Sequence, residues 1–167
     1  MDKKLKTLKW VLIVASIFYL ALASGCTKDA EEPFAEAKKD FPPPSELYAL
    51  IEEAAGLPEM ARLEDDMYPY VYGIEEEWFE EAVSYSSIDI TQPDEIVIIR
   101  CKIEEAAEQV LEKLEFRLAY KDKSAQNYLP ETIIFIQNGV IRQDELTVSL
   151  LVLKEIDAVL TLYDTFR

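Results

Sequence analysis

Cys26 is the residue whose surroundings specify chemistry most sharply. It closes the segment Leu22-Ala23-Ser24-Gly25-Cys26, a cysteine behind small residues at the end of an apolar run. Upstream, Lys3, Lys4, Lys6 and Lys9 stand against one acid, Asp2, and Trp10–Ala23 then runs fourteen residues without a charge. A basic start, an apolar stretch of this length and a small-residue cleavage site are the parts of a secretory signal. The stretch is shorter than the roughly 20 residues that span a bilayer comfortably. The alternative, an uncleaved anchor with a chance cysteine, does not account for a cysteine placed where the apolar run ends. The segment therefore reads as a bacterial lipobox, with its leucine one position further out than usual. The expected chemistry is a thioether: the Cys26 thiol takes a diacylglycerol, and the chain is cut between Gly25 and Cys26. Each buried methylene contributes about 0.8 kcal/mol, and two acyl chains reach the stable anchoring that one does not. Residues 1–25 are then a lipoprotein signal peptide, and the rest is expected on the outer face of the bacterial cytoplasmic membrane.

The remaining reactive groups are mostly excluded from known constellations. The chain has no histidine, which removes a Ser-His-Asp triad, a Cys-His pair and histidine-ligated zinc. Once Cys26 is lipidated, Cys101 has no cysteine to pair with. It lies between apolar neighbours and reads as a buried, inert thiol, since reactivity needs exposure and a lowered pKa. Four glycines leave no phosphate-cradling loop. No catalytic residue, metal ligand or cofactor is assigned.

Two features stay open. Acids are dense at Glu64-Asp65-Asp66, Glu75-Glu76-Glu77 and Glu80-Glu81. Paired carboxylates serve glycoside hydrolysis and hold calcium, but no stretch matches the twelve-residue calcium loop, and such runs read first as solvated faces. The second feature is Tyr68-Pro69-Tyr70-Val71-Tyr72. If extended, alternation puts Tyr68, Tyr70 and Tyr72 on one side, a platform for peptide or glycan; the competing reading is core packing.

Charge bounds the partners. The chain carries 17 basic and 33 acidic residues; without residues 1–25 the balance is 13 against 32, a net charge of −19. That disfavours nucleic acid, whose phosphates need Lys and Arg, and flat contact with an anionic leaflet. Half the residues are hydrophobic, so a packed domain is expected.

The elements that must position these groups follow in order. Residues 26–44, with Glu31-Glu32-Pro33 and Pro42-Pro43-Pro44, are expected to be a flexible or extended tether. Residues 45–167 form a single domain. Ser45 caps a helix through Glu53 that buries Leu47, Leu50, Ile51 and Ala54, and Gly56 stops it. A short helix is expected from Glu75, burying Trp78, Phe79 and Ala82. Glu95–Lys102 is the clearest strand, with Ile96 and Ile98 on one face and Val97, Ile99 and Cys101 on the other, hence central and covered. Ile103–Tyr120 is the clearest helix, with Ile103, Ala107, Val110, Leu111, Leu114 and Leu118 inward. Thr132–Ile136 reads as strand with an Asn138-Gly139 turn, or as a short helix begun at Pro130 and stopped at Gly139. Strands are expected at Val140–Arg142 and Leu146–Leu153, joined near Asp144-Glu145, and a last helix at Glu155–Phe166. The fold class is α+β: a small antiparallel sheet of about three strands covered by helices in two layers.

Leu57-Pro58-Glu59-Met60, Tyr72-Gly73-Ile74, Asp94-Glu95-Ile96 and Tyr128-Leu129-Pro130-Glu131 stand in an order that resembles a family of small clostridial (Gram-positive) lipoproteins catalogued only as a domain of unknown function. The resemblance covers about Ser45 to Tyr163. It implies an extracytoplasmic lipoprotein with a small α+β domain, and helix for Glu131 to Gln137; it brings no catalytic residue. The chain departs at Gln143-Asp144-Glu145-Leu146, where members often have a glycine-aromatic entry to the penultimate strand. Two function classes result: a non-catalytic binding or accessory module meeting an envelope protein or glycan, and a carboxylate-dependent hydrolase of envelope glycan. A cleft with two convergent carboxylates of raised pKa separates the second from the first.

Overall fold

The computed structural model describes residues 41–128 and 130–166. The signal peptide, the Gly25–Cys26 cleavage site and most of the expected tether lie outside these residues. Among these described residues five strands form one sheet: β1 (Met60–Arg62), β2 (Phe79–Ser87), β3 (Glu95–Cys101), β4 (Val140–Asp144) and β5 (Thr147–Val152). Their order is β1-β2-β3-β5-β4, and every pair is antiparallel. Among the described residues the α-helices are α1 (Pro44–Ala54), α2 (Tyr68–Val71), α3 (Glu104–Tyr128), α4 (Ile133–Gln137) and α5 (Ile156–Asp164).

The α+β class with a small antiparallel sheet is as expected. Strand β3 is its axis. Ile96 and Ile98 pack with Val83, Leu151 and Leu153 under α1 and α5. Val97, Ile99 and Cys101 pack with Ala82, Val148 and Leu150 under α3. Successive side chains of a strand point to opposite faces, so an unbroken apolar run requires cover on both. The helices therefore lie on both faces, and the expected two layers become three.

The expected sheet of about three strands is short by two, β1 and β2. A helix was expected where β2 runs. Only a single 3-10 turn, Glu76–Trp78, precedes the strand. The register shifts between Phe79 and Glu81, which pair with Cys101 and Arg100. This bulge places two residues against one and blurs the period of two, leaving Phe79 and Ala82 at a spacing that imitates a helical face.

The domain boundary also moves. Helix α1 starts at Pro44, whose fixed φ suits the first helical position. Ser45 is therefore inside the helix rather than its cap, and its N–H donates to Glu81 Oε1 at 2.9 Å. Residues 41–44 are packed on the domain rather than free. The Phe41 ring lies 5.8 Å from that of Tyr163 and 5.9 Å from that of Phe166. Arg100 Nη2 donates to the carbonyls of Phe41 (2.7 Å) and Pro42 (3.0 Å).

The ambiguous stretch after Pro130 resolves as helix, a 3-10 turn (Pro130–Thr132) running into α4. Gly139 ends it at a close approach: a Cβ there would meet Ile136 O at 2.8 Å and Leu118 Cδ1 and Val152 Cγ2 at 3.0 Å. Strands β4 and β5 join tightly through Glu145-Leu146 without glycine, and Glu145 takes φ +56°. No helix among the described residues is long and apolar enough to cross a membrane.

Candidate binding groove

The tyrosine segment is helical, not extended, and this overturns the three-ring platform. In α2, residues four apart share a face. Tyr68 is fully buried and Tyr72 nearly so, while Tyr70 points out at 83% exposure. The Tyr68 ring packs 5.7 Å from Tyr72 and 5.5 Å from Phe79, so two of the three tyrosines are core. Burial drives the phenol pKa of both upward.

Tyr72 leads to a buried ion cluster. Its hydroxyl donates to Glu95 Oε1 at 3.0 Å and shares a 2.7 Å hydrogen bond with Ser84 Oγ. Arg117 Nε donates to the same Oε1 at 3.0 Å, and Lys121 Nζ to Oε2 at 2.8 Å. The Glu95 side chain is fully buried, Arg117 27% exposed and Lys121 19% exposed. Burial is the largest influence on the Glu95 carboxyl and acts to raise its pKa. The Lys121 and Arg117 charges and their hydrogen bonds outweigh it, and the net shift is downward. A carboxylate held ionised between two cations is no proton donor near neutral pH.

Above this cluster the surface opens into a groove of about 510 Å³ between α2 and α3. Its aromatic walls are Tyr70 from α2 and Phe116 and Tyr120 from α3. Phe116 is 73% exposed and Tyr120 58%. They stand four residues apart and so form one ridge. Gly73, at φ +69°, turns the chain at the groove's end, and the Lys113 stem passes 3.8 Å from where its Cβ would sit. Lys113, Arg117 and Lys121 follow at four-residue intervals beside the ridge. The Arg117 guanidinium also lies 5.5 Å from the Tyr72 ring centre. Glu112 is the one carboxylate lining the groove.

Of the residues singled out from sequence, the groove takes Tyr70 on its wall and Tyr72 on its floor. Phe116, Tyr120, Lys113, Arg117 and Glu95 were missed. The available signal was an aromatic pair at i, i+4 on the polar side of a helix, and one acid opening an otherwise apolar strand. Cys101 is buried as expected, and burial pushes its thiol up to about 11. The acidic runs are exposed except Glu81, and no three of their carboxylates converge as a metal site among the described residues.

Neither a curated protein nor a solved structure matches this chain. Residues 53–153 do match a family described as a domain of unknown function (DUF4358). That span takes in all five strands and every residue lining the groove. The chain is therefore a member of the DUF4358 family, and its sheet and groove are built from the family's own segment.

Proposed function

We propose that the chain is a lipid-anchored extracytoplasmic protein of the Gram-positive, clostridial kind, and that its folded domain works by binding rather than by catalysis. The basic start, the apolar run and Gly25-Cys26 support the anchor. The groove carries the binding reading: three exposed rings converge on one concavity, with Lys113 and Arg117 at its floor. Sites for ligands are concave and mainly apolar, with a few placed polar groups, and typically enclose about 300–1,000 Å³. The partner is an envelope protein or an envelope glycan.

Two measurements test the two halves. Cys26→Ser in the full chain is expected to abolish fatty-acid labelling and leave uncleaved precursor; normal processing would overturn the anchor. For the groove, a photo-crosslinking residue is placed at Tyr70 in the full chain, with Asp157, an exposed residue of α5, as the control position. Adducts specific to position 70 are expected. Equal adducts at both positions would mean that the groove is not the contact surface.

A further inference from the structure

The groove's charge pattern narrows its ligand. The chain has a net charge of −16, yet two cations meet at this one concavity with donors to spare. Lys113 makes no ion pair among the described residues. Arg117 engages Glu95 through Nε alone, and neither of its Nη atoms has a hydrogen-bond partner among the described residues. A guanidinium edge with two free nitrogens is shaped for a carboxylate. The flanking rings of Tyr70, Phe116 and Tyr120 offer flat apolar faces for stacking, and the two tyrosines add hydroxyls. Glu112 supplies an acceptor at the rim.

We infer that the groove binds an acidic sugar within a glycan: a ring that stacks on the aromatic wall, carries a carboxylate toward Arg117 and Lys113, and donates a hydroxyl to Glu112. The inference rests on reading the groove as the binding site. Three features favour this occupant. An acceptor beside two donors matches a sugar, which both donates and accepts. The concavity, at about 510 Å³, falls within the about 300–1,000 Å³ typical of small-ligand sites. A polyanion charged at every residue is repelled by the rest of the chain more strongly than a glycan with a carboxylate on every second ring.

The test uses the full chain in detergent and three probes: glycan strands of alternating N-acetylglucosamine and N-acetylmuramic acid, free of peptide; chitotetraose, which lacks the carboxylate; and poly-glutamate, which lacks the ring. N-acetylmuramic acid as a monosaccharide separates polymer from free sugar. Titration calorimetry at low and high salt is expected to show binding to the acidic strands that weakens with salt. Chitotetraose is expected to bind at least about tenfold more weakly, and poly-glutamate not at all. Lys113→Met and Tyr70→Ala are each expected to lower strand affinity about tenfold with unchanged melting temperature. Equal affinity for chitotetraose, binding of poly-glutamate as tightly as the strands, binding confined to the free monosaccharide, or strand binding indifferent to both variants would overturn the inference. If no probe binds while the Tyr70 crosslinker still captures one specific protein, the acidic-sugar inference falls and the binding reading stands. If neither occurs, both fall.

Discussion

Replacing Glu95 by glutamine tests the ion cluster under the groove. The substitution keeps shape and volume and removes one charge. Glu95 accepts three hydrogen bonds, from Tyr72, Arg117 and Lys121. An amide has one oxygen, so its NH₂ must face either the Lys121 ammonium or the Arg117–Tyr72 side, and at least one cation loses its acceptor. A hydrogen bond to a charged group is worth about 1.5–3 kcal/mol. Losing one or two, with the remaining cation still buried, gives a gross loss of about 2–6 kcal/mol. Arg117 and Lys121 retain some exposure, and glutamine avoids desolvating a carboxylate, so the expected net loss is about 2–4 kcal/mol. With a urea slope of about 2 kcal/mol/M, the midpoint falls by about 1–2 M at pH 7. The pH dependence has a fixed sign. The folded-state pKa is depressed, so the stabilisation is fully present above the ordinary glutamate value of 4.5 and is lost as pH falls through the folded value. The gap between wild type and Glu95→Gln is therefore expected to be widest at neutral pH and to narrow in the acid range. A gap below about 1 kcal/mol, or one that stays constant from neutral pH into acid, would refute this account of the cluster.

The core makes further tests. Leu114, fully buried against β3 and β5, is expected to cost about 2–5 kcal/mol on change to alanine, and half-buried Leu111 about half as much, measured by urea denaturation. In a Cys26→Ser background, Cys101 is expected to resist a thiol reagent in the native state and to react at the rate of unfolding. Rapid native reaction would place it at the surface. Gly139→Ala is expected to destabilise by about 1–3 kcal/mol, because the new methyl meets a backbone carbonyl as well as two side chains. An unchanged melting temperature would show that the α4–β4 connection yields freely.

The sheet's centre was legible because Ile96–Ile99 has apolar residues at every position, a pattern with few solutions other than a covered strand. Helix α3 was legible from its apolar spacing but ended early at Tyr120. Beyond that point, among the residues whose burial is described, only Ala125 is deeply buried, so the periodic signal thins while the helix continues to Tyr128. Strand β2 was hidden by its bulge, and β1 by its length of three residues. The Pro42–Pro44 run reads as a spacer locally, and Pro43 does adopt φ −63°, ψ 155°. What holds it to the domain is Arg100, 58 residues away from Pro42, which no local rule connects. The tight turn at Glu145 forms without the glycine that its positive φ favours. The groove was illegible for the same reason as the tether contact. Tyr70 comes from one short helix and Phe116 and Tyr120 from another far along the chain, and only the fold brings them to one concavity.

The strand order has a kinetic consequence. Apart from the short edge strand β1, the sheet is two local hairpins, β2–β3 and β4–β5, zipped together along β3 and β5, with α3 spun out between them. Each hairpin forms by nearby contacts, but the zipper pairs Arg100 with Thr147 and so must close a loop through all of α3 and α4. Until it closes, the Ile96–Ile99 run presents an open apolar edge, the kind of segment that templates intermolecular pairing. The race between zipping and self-association should then depend on how quickly α3 collapses, because that helix both shortens the gap and covers one face of the exposed strand.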